Sequence, residues 1–163
     1  MKMKLKNYIE SNLILESSFF DCMEVERCSC NSFKKCKMSN IRDFINNNKD
    51  KYSDFQTTLF KMIDDRNLKD SDVYNKVHMD RRLFSKIRSD SNYHPSKDTI
   101  ILLGLSLELS LNEIEILLDS ASYSLPKNNY FDLIIRFCFI NNIYKLTDVN
   151  DLLDEYNCKL FNY

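Results

Sequence analysis

The chain has 163 residues, of which 44% are hydrophobic and 29% are charged, and its formal net charge is −1. These values predict one well-packed core with a modest appendage and exclude a fibrous or intrinsically disordered chain. The near-neutral charge argues against a protein that coats nucleic acid without discrimination. One glycine and two prolines are too few for the turns of a sheet-rich fold, so we predict an all-α protein with short polar loops.

No apolar run approaches the roughly 18 residues of a membrane span. The basic residues at the start are followed by Asn7, Glu10 and Ser11, which is not the pattern of a signal peptide. We therefore expect a cytoplasmic protein without a membrane partner. Its six cysteines are then expected to stay reduced unless some of them bind a metal.

Residues 1–50 are predicted to form a helical, cysteine-containing appendage, and the polar stretch 46–53 separates it from a central domain. A helix is expected over residues 3–20, and Ser39 is a candidate N-cap for a second short helix. Four cysteines lie between them in the pattern C-x5-C-x-C-x5-C: Cys22, Cys28, Cys30 and Cys36. Four thiolates suit zinc or an iron–sulfur cluster. Paired C-x2-C knuckles are absent, so ordinary reduced thiols are the alternative.

Residues 54–122 are predicted to form a compact domain of five short helices joined by loops of two to six residues. The fourth helix is expected to begin at Ser96 or Asp98. Ser110 is expected to begin the fifth, with Glu113 completing a capping box. The predicted helices cover residues 55–68, 70–77, 81–89, 99–109 and 111–122.

The third of these helices is predicted to be basic on its outward face. Asp80 is its expected N-cap, and Leu83, Phe84 and Ile87 are expected to point inward. The residues expected on the other face are Arg81, Arg82, Ser85, Lys86 and Arg88. A short helix, a tight turn and a basic helix are how a helix-turn-helix protein presents a helix to the DNA major groove. The alternative is a solvated charged face.

Residues 127–163 are predicted to form a helical extension packed on this domain. The segment 130–143 is apolar on most faces, which indicates a buried core helix or, as the alternative, a helix in a dimer interface. A further helix over 147–156 is expected to take Thr147 as its N-cap. From residue 98 onward four Lys/Arg stand against ten Asp/Glu, so this end of the chain is acidic.

Residues 79–87 read MDRRLFSKI, and they are followed by the apolar stretch 99–109 and by LNEI at 111–114. This order resembles the Cro/CI-repressor-like helix-turn-helix family, also called the XRE family, over residues 55–122. The resemblance implies a five-helix domain whose second and third helices form the DNA-binding motif. The positions that would face base edges and phosphates are here Arg81, Arg82, Ser85 and Lys86.

Three residues depart from the pattern of that family. Tyr74 stands where alanine is usual in the first motif helix, and His78 stands where the turn usually has glycine. Arg88 replaces a glutamate that often follows the last apolar residue of the recognition helix. From about residue 69 onward the chain is also similar to a helical module fused behind macro domains in some Firmicute proteins. That likeness implies a bacterial setting, either defence or a mobile element.

The sequence therefore predicts a sequence-specific transcriptional regulator that binds double-stranded DNA as a homodimer. It lacks a glycine-rich phosphate loop, an H-E-x-x-H motif and a supported Ser/His/acid arrangement, so we do not expect an enzyme. The alternative function is a protein-interaction or adaptor module that keeps the repressor-like fold and binds a protein partner.

Overall fold

The structure is a computed structural model, and it describes residues 2–13 and 54–161 of the chain. These two ranges contain eight α-helices and no strand, which confirms the predicted all-α fold class. The helices are α1 (Lys2–Asn12), α2 (Phe55–Asp65), α3 (Asp70–Lys76), α4 (Arg81–Ser89), α5 (Lys97–Ser106), α6 (Leu111–Ser120), α7 (Tyr130–Ile140) and α8 (Leu146–Glu155). The helix predicted after Ser39 lies outside the described residues. None of the eight helices is long and apolar enough to cross a membrane.

Polar side chains cap the starts of α4, α5 and α6, as the sequence indicates. The carboxylate of Asp80 accepts a hydrogen bond from the backbone N–H of Arg82 at 2.7 Å, at the start of α4. Ser96, rather than Asp98, caps α5. At α6 the side chains and backbone N–H groups of Ser110 and Glu113 bond each other reciprocally, which confirms the predicted capping box.

The structure corrects the end of the first predicted helix and the start of the last one. The first helix ends at Asn12, where the side chains of Ser11 and Asn12 bond backbone carbonyls one turn earlier and compete with further helix formation. Thr147 is not the N-cap of α8, because Leu146 is buried and already occupies the first helical position. The hydroxyl of Thr147 instead donates to the carboxylate of Asp148 at 3.2 Å.

Most of the helices end on a left-handed residue that is not glycine. In each case its backbone N–H bonds the carbonyl three residues earlier, and the next N–H bonds the carbonyl five residues earlier, which is the Schellman arrangement. The six left-handed residues are Asn67, His78, Glu108, Ser122, Asn142 and Asn157. Because the chain turns there, α5 and α7 end at Ser106 and Ile140, three residues before the predicted ends at 109 and 143.

The core is centred on α5, which packs against α3 and α6. Gly104 stands where three helices converge, because a Cβ built on it would lie 2.5 Å from Ile114 of α6 and 3.2 Å from Phe139 of α7. Seven of the eleven residues of α7 are buried, which confirms the predicted core helix. Helix α1 packs on α7, with the rings of Tyr8 and Phe137 5.5 Å apart.

Ion pairs connect helices that are distant in sequence. Asp132 of α7 is only 3% exposed, and its carboxylate lies 2.5 Å from the ammonium group of Lys97 in α5. Arg136 of α7 pairs with Glu115 of α6 and also donates to the carbonyl of Leu125 at 3.1 Å. A buried charge is costly unless it is paired, so these contacts fix how α7 sits on the central helices.

Candidate nucleic-acid interface

The predicted motif is built from α3, the turn 77–80 and α4. Val73 of α3 and Val77, which begins the turn, are both buried. His78 adopts a left-handed conformation with φ of 52° and so fills the position where a turn often has glycine. The N–H of Met79 bonds the carbonyl of Tyr74 at 2.8 Å, and the Met79 side chain is buried. The chain therefore turns tightly from α3 into α4.

One face of α4 is anchored in the core and the other is exposed. Phe84 and Ile87 are almost fully buried, and Leu83 is partly buried. The exposed residues include all five that the sequence predicts as DNA contacts: Arg81, Arg82, Ser85, Lys86 and Arg88. With about 100° between successive residues, the exposed arc places Ser85 and Ser89 in the middle and cationic side chains on both edges.

The five residues differ in what they contact. Within the described ranges, the side chains of Arg81, Arg82 and Ser85 form no hydrogen bond or ion pair. The ammonium group of Lys86 lies over the ring of Tyr93, 4.6 Å from its centroid. This cation–π contact leaves Lys86 on the surface, next to the loop that follows α4. The N-terminal part of α4 thus presents long cationic side chains that have no hydrogen-bond or ion-pair partner in the described residues.

Arg88 is held differently from the other four. Its guanidinium donates to the carboxylate of Asp70 in α3 at 2.6 Å. The same group lies over the ring of Phe60 in α2, 4.3 Å from the centroid. Arg88 therefore joins three helices, and an arginine in this position already has an intramolecular partner.

Gln56 of α2 is a site residue that sequence reasoning missed. Its side-chain amide donates to the backbone carbonyls of Ile87 and Asp90, at 2.6 Å and 2.7 Å. These carbonyls belong to the end of α4, where a helix leaves acceptors without intrahelical partners. Gln56 lies 31 residues from Ile87 in the chain, so no local pattern signals the contact.

Tyr74, which stands where the family that the sequence resembles usually has alanine, is accommodated by aromatic packing. The ring of Tyr74 lies 5.8 Å from the ring of Phe84 in α4. The ring of Phe60 packs edge-on against the ring of Phe84 at 6.3 Å. Three aromatic side chains from three helices therefore fill the junction between α3 and α4. Such pairs stabilise by about 0.5–1.5 kcal/mol beyond the burial of their area.

The predicted metal ligands Cys22, Cys28, Cys30 and Cys36 lie outside the described residues. Between residues 54 and 161 and in 2–13, no group of three or more His, Cys, Asp or Glu side chains is arranged to hold a metal ion. Cys138 is buried in α7, and burial raises the pKa of its thiol to about 12. It is therefore a protonated core residue at neutral pH.

No protein-family model matches the chain, and neither does any curated protein or solved structure.

Proposed function

We propose that the chain is a sequence-specific, DNA-binding transcriptional regulator that places α4 in the major groove. The proposal treats α2–α6 as a repressor-like domain, with an N-terminal cysteine-containing appendage and a C-terminal helical extension. The observation that carries it is the exposed arc of α4, on which Arg81 and Arg82 project without partners in the described part of the chain. Free guanidinium groups suit the O6 and N7 acceptors of guanine and the phosphates that flank them.

The contacts around α4 support this role. A reading helix must be held rigidly while its outer side chains stay available. Phe84 and Ile87 anchor α4 from below, and Gln56 binds its last carbonyls. The basic excess is local, since residues 60–97 hold nine Lys/Arg and six Asp/Glu while the whole chain has a net charge of −1. Such a distribution favours binding at a defined site over general attraction to phosphate.

The test is a salt titration of binding to two duplexes, the DNA upstream of the protein's own gene and a random-sequence duplex. The double variant Arg82→Ala/Lys86→Ala is expected to lose the preference for the upstream DNA, with affinity falling about 100-fold or more. The matched control is Lys4→Ala/Lys127→Ala, which removes the same charge from exposed sites off α4. If the Arg82→Ala/Lys86→Ala variant keeps the wild-type affinity and the wild-type circular dichroism spectrum, the proposal is wrong.

Two further features belong to the same proposal. A regulator of this class reads two half-sites as a homodimer, so the complex is expected to contain two chains per duplex by sedimentation. The four clustered cysteines, Cys22, Cys28, Cys30 and Cys36, are proposed to hold zinc. Elemental analysis of protein purified without chelators tests the metal site. About one zinc per chain would support the site, and an absence of both zinc and iron would rule it out.

A second candidate function is a protein-interaction module with the same fold. The observation that favours it is Ile116 of α6, a residue that is 58% exposed beside an open groove of about 650 Å³ that Leu125 and Pro126 also line. A large exposed apolar residue next to a groove is typical of contact surfaces between proteins. The salt titration distinguishes the DNA-binding function from the protein-interaction function. If the protein binds neither duplex at ~50 mM salt, the protein-interaction function is the one supported.

A further inference from the structure

The C-terminal half of α4 is fastened to its neighbours, whereas the N-terminal half is not. Gln56 of α2 donates to the carbonyls of Ile87 and Asp90 at 2.6 Å and 2.7 Å. A single side chain thus satisfies two acceptors at the end of α4. Because both bonds come from one rigid amide, they restrict rotation of α4 about its own axis as well as its distance from α2.

Arg88 supplies a second fastening at the same end of the helix. Asp70 accepts from its guanidinium at 2.6 Å, and the ring of Phe60 lies beneath it at 4.3 Å. A planar cation with a carboxylate at its edge and a ring on its face has little freedom to move. Turning Arg88 toward a phosphate would break both contacts and would leave the carboxylate of Asp70 unpaired beside the DNA backbone.

We propose that Gln56, Asp70 and Arg88 form a clamp that sets the angle at which α4 meets DNA, so that Arg88 is a positioning residue and not a DNA contact. This inference rests on the proposed DNA-binding function. The DNA sequence is then recognised by the other exposed side chains of α4: Arg81, Arg82, Ser85 and Lys86. The clamp acts on specificity because a helix that tilts or rotates carries the side chains at its other end out of register with the bases.

The clamp is tested first in the protein without DNA, by hydrogen exchange of backbone amides. Arg88→Gln and Gln56→Met are each expected to speed exchange of the amides in the last turn of α4 about fivefold, as loss of a contact of about 1 kcal/mol implies. Arg81→Gln is the matched control. It removes the same charge from the same helix, but it breaks no contact in the described structure, so exchange is expected to stay at the wild-type rate.

The second arm uses a random-sequence duplex library and the duplexes selected from it by the wild-type protein. Arg81→Gln is expected to reduce the slope of log affinity against log salt by about one, as loss of a phosphate or base contact does. Arg88→Gln is expected to leave that slope unchanged while lowering the preference for selected over random duplexes about tenfold. The swap Asp70→Arg/Arg88→Asp rebuilds the ion pair but not the stacking over Phe60, so the preference is expected to recover only in part.

The opposite pattern overturns the clamp. If Arg88→Gln lowers the salt slope as Arg81→Gln does and leaves the exchange of α4 unchanged, Arg88 contacts DNA and is not a positioning residue. A wild-type protein that binds neither duplex removes the DNA-binding function. In that case the exchange rates alone decide whether the three residues clamp α4, so the two failures are distinguishable.

Discussion

Gly104 is the only glycine of the chain, and its role is to let helices approach closely. A Cβ at this position would lie 2.5 Å from the Cδ1 atom of Ile114 and 3.2 Å from the ring of Phe139. Both distances are shorter than ordinary van der Waals contact, so any side chain here must displace its neighbours. The position is required for packing and not for backbone conformation, since its φ is not positive.

Gly104→Ala is therefore expected to destabilise the protein, although alanine is the better helix former. Overpacking a core costs roughly 1–3 kcal/mol, and the gain in helix propensity offsets up to about 1 kcal/mol. The free energy of unfolding in urea is expected to fall by about 1 kcal/mol. Ser85→Ala, an exposed helical site with no partner in the described ranges, is the control and is expected to change stability little. A stabilised Gly104→Ala variant would mean that Ile114 moves aside freely.

At single residues, the sequence predicts exposure better than it predicts partnership. The spacing of Phe84 and Ile87 places Arg81, Arg82, Ser85 and Lys86 on the outer face, and the structure agrees. The same spacing also places Arg88 outside, but it contains no information about Asp70, which lies 18 residues away. Contacts of this kind depend on how helices are arranged in space, and a periodic pattern in one helix cannot specify them.

At the level of helices, starts with a capping side chain are predictable, whereas uncapped starts and most ends are less so. A capping side chain bonds the first free N–H groups, and Asp80 and Ser110 are recognisable in this way, but α8 has no such cap and its predicted start is wrong. The ends lack such a mark here, because left-handed residues such as Glu108 and Asn142 replace glycine. An apolar residue follows each of them, Leu109 and Ile143, and packs back on the core. It continues the apolar pattern, so the predicted helices run three residues too far.

Glu113 joins two helices and makes their contact sensitive to acid. Burial alone would raise its pKa, but hydrogen bonds from Arg66, the residue that follows α2, and from Ser110 lower the pKa from the ordinary value of 4.5 to about 2. Arg66 lies 2.6 Å from the carboxylate. A carboxyl group whose pKa is lower in the folded protein stabilises that protein fully above its unfolded pKa. The contribution is lost as pH falls from about 4.5 to about 2.

Glu113→Gln is accordingly expected to be less stable than the wild type at pH 7 and to lose less stability than the wild type on going to pH 2. The difference between the two proteins should shrink across the interval between the unfolded and folded pKa values. Urea unfolding of both proteins at a series of pH values measures this difference in the free energy of unfolding. Asp119→Asn, an exposed acid on the same helix, is the control and should follow the wild-type curve. A constant difference at all pH values would show that the carboxylate charge is not what stabilises the contact.

For the whole molecule, charge is divided between two regions of one chain. Residues 60–97, which include α4, carry a net of +3 and residues 1–59 a net of +2, whereas residues 98–163 carry four Lys/Arg and ten Asp/Glu, a net of −6. The buried acid Asp132 and the partly buried Glu115 are neutralised by Lys97 and Arg136, so much of the remaining negative charge is on the surface. A duplex would be attracted to α4 and repelled by the acidic region, which favours one orientation of the proposed complex.

The N-terminal helix α1 packs on the rest of the described structure. Leu5 of α1 is fully buried and Ile9 is 3% exposed, and α1 packs against α7. Helix α7 in turn contacts Gly104 of α5 through Phe139. A connected layer of side chains therefore runs from α1 through α7 to the centre of the molecule. A substitution that disrupts packing in α1 should therefore also destabilise the central helices.

Leu5→Ala is expected to lower the free energy of unfolding by about 2–5 kcal/mol, which is the cost of truncating a fully buried leucine. The loss should appear in one cooperative transition, in which the amides of α7 and α4 exchange faster together. Lys4→Ala, at the exposed neighbouring position, is the control and should leave exchange at the wild-type rate. If Leu5→Ala instead speeds exchange in α1 alone, then α1 unfolds by itself and the core begins at α2.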